Sequence, residues 1–291
     1  MRVFITGLPG TLGTAIAKIH RERGDSVFGC ARNEGAIAKW YTEHNGLGTL
    51  FVGDALNLTA ENSDMGRLLP YVHCVYHCAA MKHVDLCQAN PEEAYRNNVS
   101  LTASIARACQ QYRIRLVFIS SDKACLPQSV YGATKMLGEA MVIDRGGAVV
   151  RFGNLIGSTG SVFKRWKDAL DDGKHIHLTD PEMTRYFIPV AKAAKFAVDH
   201  SHAGVVTLPA MRSAIMGELA ECVNVPGKAI ITIGKRPGET KHQWVVAPGD
   251  SLIANVDYLA ISENGEPCTN GICSATAQRW PTDELLKEAG L

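Results

Sequence analysis

The feature that most narrows the fold of this chain is its rhythm. Short apolar runs at RVFIT (2–6), SVFGCA (26–31), GTLFVGD (48–54), CVYHCAA (74–80), IRLVFISS (114–121) and GAVVRFGN (147–154) alternate with helical stretches at 11–24, 91–113 and 131–146. Strands separated by helices pair in parallel, because the crossover helix returns the chain to the same end of the sheet. The runs are apolar nearly throughout, as strands covered on both faces must be. The expected fold is a doubly wound, Rossmann-type α/β sheet, whose ligands bind beyond the carboxyl ends of the strands. Gly24 suits the end of the first helix, and Pro91 the first turn of the long one.

After Asn154 the rhythm breaks. Turn-rich segments such as GSTGSVF, LTDPEMTRYFI and GKRPGETKHQ separate short elements. We divide the chain into a dinucleotide-binding core (1–154) and a smaller, irregular α+β substrate-binding region (155–291), some of whose segments return to the core. The stretch ENGEPCTNGICSA (263–275) has no period and receives no placement. A hydrophobic fraction of 46% against 20% charged residues supports a packed core and argues against disorder. A net charge of +1 lacks the basic footprint of a nucleic-acid binder. No apolar run approaches the roughly 18 residues of a membrane span. Met1 leads directly into an apolar strand, and nine cysteines, an odd number, read as reduced thiols. A cytoplasmic protein is expected.

Chemistry concentrates at strand ends. ITGLPGTLG sets Gly7, Gly10, Thr11, Leu12 and Gly13 between the first strand and the first helix. Glycines there allow a tight turn and close backbone approach to a pyrophosphate facing a helix N-terminus. The spacing is G-x-x-G-x-x-G rather than the general G-x-G-x-x-G. After the second strand comes Arg32 rather than an acid, which favours the 2′-phosphate of NADP over NAD, with a solvated surface charge as the alternative. Asp54 is placed to accept from the adenine amino group, or to cap the helix that follows. Ala79, Ala80 and Lys82 follow the fourth strand and are expected along the cofactor. FISSDKACLPQSVYGATK (118–135) ends the fifth strand in Ser121, Asp122 and Lys123, then sets Tyr131 and Lys135 one helical turn apart. HCVYHC (73–78) carries metal-ligand residue types, but neighbours on a strand face opposite ways and do not converge, so no metal is expected. Cys268 and Cys273 are a thin signal for zinc or a disulfide.

Together these motifs resemble the extended short-chain dehydrogenase/reductase family. More narrowly, the chain is similar to soluble UDP-N-acetylglucosamine 4,6-dehydratases of the inverting, polysaccharide-biosynthesis type. The likeness runs through TGLPGTLG, HCAAMKHVDLCQANPEEAYRNNV, SSDKACLPQSVYGATKMLGEA, VRFGNLIGSTGSVF, LTDPEMTRYFI and RPGETKHQ, roughly Met1 to Gln243. It departs at Ser129, Thr159 and Gln243, where the family commonly has asparagine, arginine and glutamate.

The resemblance implies a reaction. Hydride leaves sugar C4 for the oxidised cofactor, the 4-ketone acidifies C5–H, water is lost across C5 and C6, and hydride returns to C6. It assigns Tyr131 to the C4 hydroxyl proton, Ser121 to the C4 oxygen and Lys135 to the nicotinamide ribose and the phenolate. Lys123 becomes the base at C5 and Asp122 the acid for the departing C6 hydroxyl. Asn98 would support the site or be a satisfied buried amide. Asn154, Arg185, Arg236 and Glu239 would hold the UDP-sugar, guanidinium groups being matched to phosphate oxygens. Homo-oligomers are common in the resembled family. The rival readings are a nucleotide-sugar 4-epimerase or 4-reductase, which has no use for Lys123, and a non-catalytic dinucleotide-binding protein.

Overall fold

The computed structural model describes residues 1–291. The first half runs β1 (Arg2–Thr6), α1 (Thr11–Glu22), β2 (Ser26–Ala31), α2 (Glu34–Glu43), β3 (Thr49–Val52), α3 (Asp64–Leu68), β4 (Cys74–His77), α4 (Val84–Ala89), α5 (Pro91–Tyr95), α6 (Leu101–Gln111), β5 (Arg115–Ser121), α7 (Val130–Asp144) and β6 (Ala148–Phe152). Then follow β7 (Asn154–Ile156), α8 (Val162–Asp171), β8 (Ile176–Leu178), β9 (Thr184–Pro189), α9 (Val190–Asp199), β10 (Val206–Pro209), β11 (Arg212–Ile215), α10 (Met216–Val223) and β12 (Ile230–Thr232). The chain closes with β13 (Trp244–Val246), β14 (Ser251–Ala254), β15 (Tyr258–Ile261), β16 (Glu266–Pro267), β17 (Ile272–Cys273) and α11 (Thr282–Ala289).

The main sheet has ten strands in the order β16-β14-β15-β10-β6-β5-β4-β1-β2-β3. From β10 to β3 every pairing is parallel, and β15, β14 and β16 extend it antiparallel. The expected doubly wound sheet is therefore present. Its strand order reverses between β1 and β4, where a crevice opens at the carboxyl ends. Alternate residues of each strand feed two cores. Val3 and Ile5 face α1 and α9, while Phe4 and Val75 face α6 and α7. A third cluster around Phe163, Trp166, Phe187 and Trp280 holds the smaller region together.

The long helix expected over 91–113 is interrupted. Pro91 opens α5 as anticipated, but Arg96–Ser100 widens into a π-turn before α6. This turn carries Asn98, whose amide bonds the backbone of Met81 in both directions (2.8 and 2.9 Å) and donates to Thr134 Oγ1. Asn98 is thus the satisfied buried amide of the two alternatives, and it fixes the loop after β4. The strand read as 147–154 is two strands, β6 and β7, that belong to different sheets. The unplaced segment 263–275 supplies β16 to the sheet edge and β17 to a ribbon with β13. Cys268 and Cys273 are both free thiols. No helix is long and apolar enough to cross a membrane.

One buried ion pair joins three of these elements. Arg151 on β6 meets Glu139 on α7 through two parallel contacts of 3.0 and 2.6 Å, and its third nitrogen donates to Val245 O on β13. Both side chains are 7% exposed. Removing one partner from such a pair strands a buried charge, whereas removing both with apolar residues of similar size is far less costly. We predict that Arg151→Met lowers the unfolding free energy by about 3–5 kcal/mol and that adding Glu139→Leu recovers most of it. Urea unfolding of the single and double variants checks this; equal losses in both would refute it.

Candidate active site

The carboxyl ends of β1, β4, β5 and β6 open into one cavity of about 1220 Å³. At one end lies the glycine turn. Gly7 has φ +70°, and a Cβ there would lie 3.1 Å from the Ala79 backbone. A Cβ on Gly13 would sit 2.9 Å from two carbonyl oxygens of the turn. The sequence thus brings β1, α1 and the loop after β4 closer than any side chain permits. The first turn of α1 has no side-chain cap and no acidic residue, so its backbone N–H groups face the cavity without an internal acceptor. The strap after β7 crosses this end: Thr159 N donates to Thr11 Oγ1 (3.2 Å), and Lys82 Nζ donates to Thr159 O (3.3 Å). These residues fit a dinucleotide pyrophosphate.

Gly7, Gly10, Thr11, Leu12, Gly13, Ala79, Ala80 and Lys82 all line this cavity. Arg32 and Asp54 do not. Their side chains are 59% and 41% exposed and face each other at 3.7 Å, and Asp54 also caps the turn after it through Leu56 N. Asp54 thus does cap that turn.

The opposite wall is the β5–α7 connection. Ser129 caps α7 by accepting from Gly132 N, which accounts for a small hydroxyl residue at that position. Tyr131 and Lys135 project from α7 into the cavity and are both buried. Lys135 Nζ donates to Ile119 O at 2.6 Å and lies 4.0 Å from the centre of the Phe118 ring. Burial brings its ammonium down to about 8. Burial pushes the Tyr131 phenol up, while the Ser121 hydroxyl beside it works in the opposite direction. Beneath them His77 is locked between Thr6 and Thr102 (2.8 and 2.9 Å) and brought down to about 3 by burial, so it stays neutral. The HCVYHC segment thus forms a packed strand, with Cys74 and His77 buried apart from any ligand cluster.

Between these walls sit Asp122 and Lys123. Asp122 is 1% exposed. Its Oδ1 accepts from Ser121 Oγ (2.9 Å) and from Lys123 Nζ (3.0 Å). The pair is not a solvated surface contact, and Ser121, Asp122, Lys123, Tyr131 and Lys135 share one cavity. Gln243, noted in the sequence only as a departure, is 4% exposed and faces the same pair.

The remaining wall carries Asn154, Arg185, Arg236 and Glu239. Several of these groups are engaged internally. Asn154 donates to Tyr186 O, Arg185 to the carbonyls of Thr184 and Lys241, and Arg236 to Glu239 at 2.6 Å. Arg236 Nε remains buried without a partner. Arg165 on α8 escaped the sequence reading because it lies in an ordinary amphipathic helix. It lines the cavity with no carboxylate in ion-pair contact, lowered first by burial and then by the Arg236 charge, with Asp85 and Glu239 acting the other way from farther off. Asp85 and Glu239 pair with Arg236 on the same wall, at 3.9 and 2.6 Å, so Arg165, unlike Arg236, is unpaired and is the group placed to meet an anion.

Fold and site together define an extended short-chain dehydrogenase/reductase. The chain belongs to the polysaccharide biosynthesis protein family, whose model matches residues 3–259. It is 35% identical over 210 residues to the probable polysaccharide biosynthesis protein EpsC of Bacillus subtilis, covering 67% of this chain but only 35% of that protein. It is 28% identical over 279 residues to an inverting UDP-N-acetylglucosamine 4,6-dehydratase of Campylobacter jejuni, covering 89% and 82% of the two chains. Among solved structures, Pen from Bacillus thuringiensis matches with a TM-score of 0.89 at 23% identity, over 100% of this chain and 98% of that one.

The Lys135 environment predicts a pH dependence. Its folded value, about 8, lies below its ordinary value of 10.5, so between those limits the unfolded chain binds the extra proton. The cost of burying the ammonium is complete below pH 8 and disappears as pH rises towards 10.5. Relative to Lys135→Met, the wild type should gain on the order of 3 kcal/mol of stability across that window. Denaturant unfolding at pH 7 and 10 measures it; parallel curves would contradict the assignment.

Proposed function

We propose that this protein dehydrates a UDP-sugar, UDP-N-acetylglucosamine or a close relative, to a 4-keto-6-deoxy sugar nucleotide, with inversion at C5. The observation that carries the reading is the pair formed by buried Asp122 and half-buried Lys123, which shares a cavity with Tyr131 and the glycine turn. Similarity to the Campylobacter dehydratase over most of both chains supports it. A nicotinamide dinucleotide on the glycine turn, when bound, supplies the hydride acceptor and donor. MoeE5, a structure of the same fold at 20% identity and a TM-score of 0.68, was solved with UDP-glucuronic acid and NAD.

This chain's residues supply the remainder. Ser121 holds the C4 oxygen and Tyr131 accepts its proton. Burial, and after it the Asp122 charge, oppose the phenolate, so the positive charges of Lys135 and of the oxidised cofactor must offset them. With a ketone at C4, Lys123 as free amine takes the C5 proton and Asp122 as acid protonates the departing C6 hydroxyl. Arg165 and Arg236 face the diphosphate, and Arg185 and Asn154 frame the sugar end. Arg32 follows β2, where an arginine rather than an acid suits a 2′-phosphate, and this supports NADP over NAD. A 4-epimerase needs Tyr131 and Lys135 but leaves the Asp122–Lys123 pair without work.

Incubation with UDP-N-acetylglucosamine in deuterated water should give a 6-methyl proton signal and deuterium at C5. Absence of both would count against this substrate. Lys123→Ala should cut elimination at least about 10²-fold while cofactor reduction by the sugar persists; undiminished product would favour the epimerase reading. Arg32→Glu should weaken NADP binding about tenfold or more and leave NAD binding unharmed, as read by fluorescence titration. Equal affinities for NADP before and after would remove Arg32 from the site.

A further inference from the structure

We infer that Gln243 is a positioning residue that holds the Asp122–Lys123 pair in its charged, resting form and so controls its conversion to the acid and base needed for elimination. The inference rests on the function proposed above for its consequence, but not for its geometry.

The Gln243 amide lies across the pair. With its nitrogen toward the carboxylate it donates to Asp122 Oδ2 at 2.6 Å, and its oxygen accepts from Lys123 Nζ at 2.8 Å. The reverse orientation would set oxygen against carboxylate and NH₂ against ammonium. Lys123 Nζ also donates to Asp122 Oδ1 at 3.0 Å, which closes a ring of three side chains. The backbone of Gln243 is held from behind. Its N–H donates to Ser274 Oγ (2.8 Å), its carbonyl accepts from Ser274 N (2.7 Å), and Ser274 Oγ lies 2.7 Å from Thr184 Oγ1. The backbone that carries the amide is thus a fixed part of the wall. Of the other groups around the pair, Tyr131, Tyr186 and Cys125 are kept neutral by burial, which leaves Arg185 as the additional charge acting on Asp122.

Elimination requires a free amine and a carboxylic acid. One proton moved from Lys123 Nζ to Asp122 Oδ1 along their hydrogen bond produces both. An N–H bond breaks, an O–H bond forms, and no charge or co-reactant enters the site. Gln243 opposes this transfer at both ends, because its oxygen favours the ammonium and its N–H favours the carboxylate. In this orientation the ring aims the pair and opposes the proton transfer that elimination needs.

The first test needs neither substrate nor cofactor. Trace acetylation with acetic anhydride at pH 7.5, read by peptide mass spectrometry, reports the free-amine fraction of Lys123, with exposed Lys192 as internal standard. Gln243→Met should raise Lys123 labelling about tenfold. Gln243→Glu keeps an acceptor for the ammonium and should label at or below the wild type. A merely structural role would loosen the site and raise both; that result, or no change in Gln243→Met, overturns the inference. Near-UV circular dichroism verifies folding. Should Gln243→Glu not fold, the pH–rate profile of Gln243→Met decides. Its acid limb for C5–H exchange should move to lower pH with C4 oxidation unchanged, and an unmoved limb overturns the inference. A labelling shift without turnover on any UDP-sugar would sink the proposed reaction alone.

Discussion

The site depends on the buried contact between Arg151 and Glu139. It ties β6 to α7, and through Val245 it ties both to β13. Those three elements sit beside, carry or adjoin the groups of the cavity: β6 lies against β5, α7 bears Tyr131 and Lys135, and Gln243 immediately precedes β13. A planar guanidinium that satisfies a carboxylate in two places and a carbonyl in a third fixes relative orientation as well as distance. Without it, α7 would be held on the sheet by apolar packing and by the Lys135–Ile119 bond, and apolar packing is tolerant of small slides.

That framework makes a polar interior tolerable. Lys135, Asp122 and Gln243 are nearly inaccessible, and each would be expensive to bury alone. Each has a named partner: the Ile119 carbonyl and the Phe118 ring for Lys135, Ser121 and Lys123 for Asp122, and the ion pair itself for Gln243. The groups that lack partners point to ligands instead. Arg165 and the unsatisfied Arg236 Nε border the same space as the uncapped first turn of α1.

Much of this was legible in the sequence because it is local. The parallel sheet follows from apolar runs separated by helices, the glycine turn from its place after β1, and the Tyr131–Lys135 face from helical spacing. What escaped is long-range. Gln243 reaches Asp122 across more than a hundred residues of chain, and no local pattern marks it. The tail strands β16 and β17 are two residues each, held by pairing to β14 and β13 rather than by periodicity. Arg32 and Asp54 were read separately; that they end neighbouring strands and face each other at 3.7 Å is another long-range fact that no local pattern marks. Asn98 shows a further limit: a π-turn, invisible to a 3.6-residue period, decides which way its amide points.

The central claim is that one hexose is served from both sides within one cavity, by Tyr131 on one and by Asp122 with Lys123 on the other. The most direct measurement follows a label through that ring. UDP-N-acetylglucosamine carrying deuterium at C4 is turned over in ordinary water, and the product is read by mass spectrometry and NMR. The account predicts that the deuterium leaves C4 and reappears in the 6-methyl group of the same molecule. Deuterium retained at C4 of an epimerised or unchanged sugar would contradict it.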